Sequence, residues 1–130
     1  MASEAEPALE AMANFRMAES ALQRNDTASA ERLAKKAVDG DPSQVEYVTL
    51  LAWIRALRSS DPKAIDASIA TITDVLEREP DLVRALLYRA KLYKRRHNAA
   101  AALADLDLLL SIDPEHKEAQ NEVRALRVKR

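Results

Sequence analysis

Three acidic residue–proline pairs divide the chain into segments of similar length. Pro42, Pro80 and Pro114 are 38 and 34 residues apart, and each follows an Asp or a Glu. Proline cannot donate the hydrogen bond that a helix interior requires, and it disfavours helical geometry in the residue before it, so a helix ends before each pair. Because each segment is long enough for two helices and a turn, the spacing predicts a chain of repeated helical hairpins.

Weaker breaks split each segment into two helices. They consist of turn-forming residues at 25–26, 59–62 and 97–98. One glycine and 4% aromatic residues are too few for the turns and ring-rich strands of an all-β domain, so the predicted class is all-α. The sequence predicts about seven helices, at 7–24, 27–39, 44–58, 62–78, 82–96, 99–111 and 115–128.

Several predicted helix starts carry residues that cap helices. Ser43 and Glu46 have the spacing of a capping box, in which each side chain accepts a hydrogen bond from the backbone of the other residue. Side-chain oxygens at other starts are suited to bind the first free N–H groups of a helix. The further predicted N-caps are Asp61, Asp81 and Asn98.

The segment 83–116 carries the most specific motif. It resembles a tetratricopeptide repeat, whose pattern over about 34 residues is W-x2-L-G-x2-Y, then A-x3-F, then P. Arg89 departs from this pattern, because a leucine is usual at its position. The Trp, Gly, Tyr, Ala, Phe and Pro positions hold Leu86, Ala90, Tyr93, Ala102, Leu106 and Pro114.

The two preceding segments resemble the repeat less closely. In 11–44, Ala18 and Ala30 fill the small positions, whereas Asn14 and Ala21 replace large apolar residues. The segment 45–82 has four extra residues, about one helical turn, which lengthen its hairpin near 59–62. The resemblance implies a right-handed α-α superhelix in a single domain, 1–130, with repeats at 11–44, 45–82 and 83–116 and a cap helix at 117–130.

Few residues are suited to catalysis or metal binding. The chain has no cysteine, and His97 and His116 lie near helix ends without a spacing that joins them to a ligand set or a base. Asp105 and Asp107 are two residues apart on a helix, so their side chains point in different directions. Gly40 is the only glycine, and phosphate-cradling loops need several. We therefore expect no enzyme activity, no cofactor and no metal.

Charge and hydropathy limit the classes of partner and compartment. The first twelve residues carry acids and no base, the reverse of a signal peptide, and the most apolar stretch, 99–112, is shorter than the ~20 residues of a membrane span. The formal net charge of −1 argues against nucleic acid as the partner, so RNA binding is the weaker alternative. With no cysteine, the cytoplasm is the expected location.

Charge is distributed unevenly along the chain. Residues 1–82 carry nine Lys or Arg and fifteen Asp or Glu, whereas residues 83–130 carry eleven and six. The predicted helix at 82–96 has six bases and no acid. Such an asymmetry is informative about partners and not about the fold.

The resemblance also implies a function. In tetratricopeptide arrays the first helix of each pair lines a concave groove, so we expect a protein-binding adaptor or scaffold that prefers acidic segments at the third repeat. The alternatives are a basic face that is only solvated and a Trp53 that packs against the lengthened second hairpin. The predicted partner-binding residues are Phe15, Glu19, Thr49, Trp53, Arg84, Leu87, Tyr88, Lys91, Lys94 and Arg95.

Three further predictions concern a chaperone partner, self-association and the possible origin of the chain in a larger protein. Co-chaperones of this family hold a chaperone's carboxyl terminus with Lys, Asn, Asn, Lys and Arg, and only one of those positions is basic here, so that function is not expected. A second hypothesis is self-association through apolar stripes at the two ends, and a third is a fragment of a larger multidomain protein. The clamp positions hold Phe15, Glu19, Leu50, Arg84 and Tyr88, and the two stripes contain Leu9, Met12, Phe15, Val123, Leu126 and Val128.

Overall fold

A computed structural model describes residues 5–128, and every regular element in that range is an α-helix. The seven helices predicted from proline and turn spacing are confirmed, each within two residues at either end. The last two residues of the predicted cap helix lie outside the described residues. The helices are α1 (Ala5–Gln23), α2 (Thr27–Gly40), α3 (Val45–Leu57), α4 (Pro62–Arg78), α5 (Val83–Arg95), α6 (Ala99–Ile112) and α7 (Lys117–Val128).

The chain forms two compact units, 1–64 and 65–130. In the first unit α1 packs on α2, and α2 packs on α3. In the second unit α5 packs on α6, and α6 packs on α7. The division into three repeats within a single domain stays a prediction.

Small residues are buried at the positions that the repeat pattern reserves for them. A methyl or hydroxymethyl group there lets two helix axes approach more closely than a large side chain would allow. This part of the repeat pattern therefore agrees with the structure. The six buried small residues are Ala18, Ala30, Ala52, Ser68, Ala90 and Ala102.

Large apolar side chains fill the interior of each unit. In the first unit the ring of Phe15 stacks on that of Tyr47, with centroids 4.7 Å apart, and Leu50 and Ile54 of α3 are fully buried. Offset ring pairs of this kind stabilise a core beyond the area that they bury. In the second unit the fully buried large residues are Ile72, Leu86, Leu92, Leu106 and Leu109.

The hairpins α1–α2 and α5–α6 share one turn geometry. Asn25 (φ 61°) and His97 (φ 59°) both adopt the left-handed conformation that ends a helix. In both turns the N–H of the following residue donates to the carbonyl five positions earlier, at 2.9 Å. The same following residue then caps the next helix: Asp26 caps α2 and Asn98 caps α6. The predicted cap at Asn98 is confirmed.

Two of the predicted caps are wrong. The backbone and hydroxyl groups of Ser43 both donate to the Asp41 carboxylate, so the hydroxyl does not cap α3. The N-cap of α3 is Gln44 and that of α5 is Leu82, neither with a side-chain cap, which excludes both the Ser43 capping box and Asp81. A nearby carboxylate competes for the Ser43 hydroxyl, which is a common alternative to capping.

The lengthened hairpin starts α4 as expected. The Asp61 carboxylate accepts a hydrogen bond from the N–H of Lys63 at 3.0 Å, which confirms Asp61 as a cap. Pro62 occupies the first helical position, where the missing N–H has no partner to lose. Two caps were not predicted from the sequence: Asp26 at the start of α2, and His116 at the start of α7, whose Nδ1 accepts a hydrogen bond from the N–H of Ala119 at 3.1 Å.

Candidate functional site

Helix α5 carries all four of the bases that the sequence assigns to partner binding. Two of them face acids of α7 within the second unit: Lys91 pairs with Glu118, and Lys94 Nζ lies 3.0 Å from Glu122 Oε2. The two lysines are three residues apart and the two glutamates four apart, so each pair of side chains lies on one face of its helix. We call these four residues the α5–α7 ladder.

The α5–α7 ladder lies at the surface. Lys94 and Glu118 are exposed, and Lys91 and Glu122 are half-buried. Ion pairs in such positions contribute only about 0–1 kcal/mol each, because water competes for both charges. The α7 acids therefore compensate the charge of α5 without holding it in a rigid, desolvated arrangement.

A cleft of about 280 Å³ adjoins the ladder in the second unit. Apolar groups from α6 and α7 form much of its lining. Lys94, which belongs to the ladder, also lines the cleft. A single lysine thus lies beside both an apolar recess and a carboxylate. We call this recess the α7 cleft; it is lined by Lys94, His97, Ala99, Ala125 and Leu126.

Arg89 has a structural partner that the sequence did not reveal. Its Nε and Nη2 donate to the two carboxylate oxygens of Asp105 at 2.8 and 2.6 Å, and its Nη1 donates to Thr73 Oγ1 at 3.1 Å. Its guanidinium also lies 5.7 Å from the ring centre of Tyr93. The hydrogen bonds to Asp105 raise the pKa of Arg89 above its ordinary value, against the opposing effect of burial. Asp105 is buried, so this fork-to-fork pair is part of the core.

The predicted site residues of the first unit are mostly inside the protein. Phe15 and Thr49 are buried, Trp53 is 9% exposed, and Glu19 is half-buried. The Thr49 hydroxyl donates to the carbonyl of Val45 at 2.7 Å, within its own helix. These side chains are placed to pack, and direct contact with a partner stays a prediction for them.

The predicted site residues of the second unit range from buried to exposed along α5. Leu87 is buried, Arg84, Tyr88 and Lys91 are half-buried, and Lys94 and Arg95 are exposed. Exposure therefore increases toward the carboxyl end of the helix, where the ladder and the α7 cleft lie. Among the predicted residues, Lys91 and Lys94 are the two that the ladder joins to α7.

No protein-family model matches the sequence, and no curated protein is significantly similar to it. Solved structures do match. The first tetratricopeptide-repeat domain of Spaghetti (RPAP3), bound to the HSP90 peptide SRMEEVD, gives a TM-score of 0.76 at 17% identity, over 92% of each chain. The Arabidopsis OM64 tetratricopeptide-repeat domain gives 0.78 at 15% identity, over 95% of this chain and 99% of that one. The chain has the tetratricopeptide-repeat fold.

A third match extends the comparison to a bacterial chaperone. The type III secretion chaperone SycD of Yersinia enterocolitica, in complex with a peptide of the translocator YopD, gives a TM-score of 0.69 at 16% identity, over 91% of this chain and 92% of that one. These identities establish the tetratricopeptide-repeat fold alone. They confirm the all-α class and the resemblance that the proline spacing and the small residues indicate.

In the segment 83–116, Arg89 is the position that departs from the tetratricopeptide pattern, and the structure shows what this side chain does. Where the pattern usually has a leucine, the guanidinium of Arg89 meets the carboxylate of Asp105, 16 residues later on the second helix of the same hairpin. An unexpected base, and an acid 16 residues later inside the apolar stretch 99–112, were the available signals. Neither residue alone indicates the other, so the pairing of Arg89 with Asp105 was not predicted from the sequence.

Other types of site have no support in residues 5–128. No helix there has the length and apolar character needed to span a membrane. Nor do three or more His, Asp or Glu side chains of the described chain come together in an arrangement that would hold a metal ion.

Proposed function

We propose that this chain is a non-catalytic adaptor that binds a peptide or domain of another protein in the cytoplasm, as a single domain of three tetratricopeptide repeats and a cap helix. The fold supports the proposal, because structural neighbours bind peptides: an HSP90 peptide in one case and a YopD peptide in another. The absence of cysteine is compatible with the proposed compartment.

The proposal includes a preference for acidic segments at the third repeat, centred on Lys94. This lysine borders the apolar α7 cleft and belongs to the charged α5–α7 ladder. A peptide with one apolar side chain and a neighbouring carboxylate matches that arrangement, because the apolar group gains affinity by burial while the charge selects and orients the peptide. The position of Lys94 is the observation that carries the proposal.

Binding requires that the peptide carboxylate exchange with an acid of α7. Glu118 and Glu122 already neutralise Lys91 and Lys94, so an incoming acid replaces one exposed ion pair with another. Because such pairs are weak, the exchange costs little. Replacing both glutamates by glutamine should therefore strengthen the binding of acidic peptides. The exposed predicted residues, Lys94 and Arg95, make direct contacts in this proposal, and the buried ones support the surface.

The test compares two fluorescent peptides by anisotropy at low salt, where charge effects are largest. One has a leucine flanked by glutamates, and the other has glutamines in their place. We expect the glutamate peptide to bind about tenfold more tightly, and Lys91→Glu with Arg95→Glu to remove that preference. A control with the same change in net charge, Lys63→Glu with Arg78→Glu on α4, should keep most of it.

The outcomes separate the parts of the proposal. Equal binding of both peptides to the unmodified protein would remove the acidic preference and keep the adaptor function. An equal loss in the α4 control would show that net charge, and not the position of the α5 bases, selects the peptide. Failure to bind either peptide, followed by failure with a random peptide library, would contradict the adaptor function itself.

A further inference from the structure

Helices α2, α4 and α6 are each the second helix of a hairpin, and the exposed side of α6 differs in composition from those of α2 and α4. Four exposed residues, spaced by four, form a ridge along each of these helices. On α2 the ridge holds Ala28, Arg32, Lys36 and Gly40, and on α4 it holds Asp66, Ala70, Asp74 and Arg78. On α6 it holds only uncharged apolar residues, which we call the α6 ridge: Ala100, Ala104, Leu108 and Ile112.

The α6 ridge leaves large apolar groups in water. Leu108 is 45% exposed and Ile112 is 38% exposed. The exposed charge beside the ridge is Asp107, whose carboxylate lies 3.6 Å from Arg127 of α7 and so has a counter-charge within the same unit. A solvated repeat surface needs no such apolar line, and contiguous exposed apolar groups mark interaction sites.

We propose that the α6 ridge packs antiparallel against the α6 ridge of a second copy of this chain. The ridge is small at its amino end, with Ala100 and Ala104, and large at its carboxyl end, with Leu108 and Ile112. An antiparallel pair places each large half opposite a small half, so that the ridges interlock. A parallel pair would oppose large with large and small with small. Rows spaced by four residues are the rows that interdigitate in the commonest helix packing, and a two-fold axis makes the contact self-complementary.

The size of the surface indicates a weak, reversible dimer. A 14-residue helix is about 21 Å long and about 10 Å wide, so one face buries a few hundred Å² on each copy. Stable interfaces bury at least about 1,200 Å² in total, and smaller ones belong to transient complexes. We therefore expect dissociation in the micromolar-to-millimolar range. The α6 ridge is also distinct from the terminal stripes considered for self-association, in which Phe15 and Val123 are buried.

Sedimentation equilibrium over a concentration series tests the dimer with one substitution at two equivalent sites. Ala104→Glu puts a charge into the α6 ridge, whereas Ala70→Glu makes the same change at the matching position of α4. Both sites are exposed and glutamate favours helices, so both variants should fold, which circular dichroism checks. We expect Ala104→Glu to weaken the dimer about tenfold or more, because a buried charge without a partner is costly. Ala70→Glu should have the dimerisation constant of the unmodified protein.

Three results would overturn the proposal at this stage. The first is a mass that stays monomeric up to millimolar concentration. The second is an equal weakening by Ala104→Glu and Ala70→Glu, which would place the contact elsewhere. The third is an unchanged dimer in a second ridge variant, Leu108→Glu.

Crosslinking tests the antiparallel direction, since the chain has no cysteine of its own. A mixture of Ala100→Cys and Ile112→Cys proteins should form disulfide-linked heterodimers on mild oxidation. Either variant alone should crosslink poorly, because in an antiparallel pair the two identical positions are roughly 18 Å apart along the helix. Efficient crosslinking of Ala100→Cys alone would show a parallel pair, and no crosslinking above that of Ala70→Cys would exclude the α6 contact.

Discussion

The α1–α2 and α5–α6 hairpins are built on the same turn and the same small residues, but different side chains occupy one pair of matching positions on their helices. At one pair of matching positions the first hairpin has Met17, 53% exposed, and Leu33, 7% exposed. The other hairpin has Arg89 and Asp105 there, joined by two hydrogen bonds and extended to Thr73 of α4. The backbone arrangement is therefore compatible with either apolar residues or an ion pair at these positions.

The comparison of the two hairpins separates the residues that set the path of the backbone from the side chains that affect stability. The left-handed residue and the cap after it fix the direction of the second helix in both cases. The side chains at the matching positions then determine how the hairpin responds to substitution. An apolar contact loses stability gradually as atoms are removed, whereas half of a buried ion pair leaves a charge without compensation.

The largest expected effect is the removal of one partner of the ion pair. Asp105→Ala leaves the Arg89 guanidinium without its carboxylate in a half-buried position, and we expect a loss of about 3 kcal/mol in the free energy of unfolding. Urea denaturation followed by circular dichroism measures it. A loss below about 1 kcal/mol would show that water solvates Arg89 in place of Asp105.

The control transfers the first hairpin's residues into the second. Arg89→Met together with Asp105→Leu replaces the ion pair by the apolar pair found at Met17 and Leu33. Replacing both members of a buried ion pair by apolar groups is often neutral or stabilising, so this double variant should recover most of the stability that Asp105→Ala loses. If the double variant is as unstable as the single one, the two hairpins are not interchangeable at these positions.

The sequence predicted the features that depend on neighbouring residues. Pro42 and its counterparts end helices through their own ring geometry, and Asp61 and Asn98 cap helices through residues two and three positions away. The capping-box rule failed at Ser43, although it too depends only on neighbouring residues. The Ser43 hydroxyl donates to the Asp41 carboxylate instead of capping α3. Helix bounds were therefore accessible from sequence, and individual caps were less so.

The side-chain partners of the candidate site were not accessible in this way. Lys91 meets Glu118 across 27 residues, and periodicity within α5 contains no information about which acids α7 presents. The basic character of α5 was read correctly, but its compensation by α7 depends on the packing of two helices. The burial of Thr49 and Trp53 likewise depends on which faces of α3 are covered and not on their spacing alone.

A moderate effect on stability is expected when Asn25 and His97, the two residues in the left-handed conformation, are replaced. The effect should be similar in both hairpins. A side chain at positive φ is strained, and glycine at that position relieves the strain. Asn25→Gly and His97→Gly should each be more stable than the corresponding alanine variant by about 1 kcal/mol in urea denaturation. If the glycine and alanine variants differ in stability in only one hairpin, the two turns have the same geometry but the left-handed conformation destabilises only one of them.

The smallest expected effect concerns the caps of the two hairpins, which differ in whether they titrate. Hydrogen bonds from Ser29, first through its side chain and then through its backbone, lower the pKa of Asp26 below 3.8, whereas Asn98 has no proton to gain. Since the folded pKa is the lower one, the contribution of the Asp26 charge is fully present above about pH 4. It disappears as the pH falls through the folded value.

Asp26→Asn makes the first cap resemble the second and should be less stable than the unmodified protein at pH 7. At pH 3 and below, that disadvantage should shrink, as urea midpoints at the two pH values would show. A difference that is the same at both pH values would mean that Asp26 caps α2 by its geometry alone, and the two caps would then be equivalent.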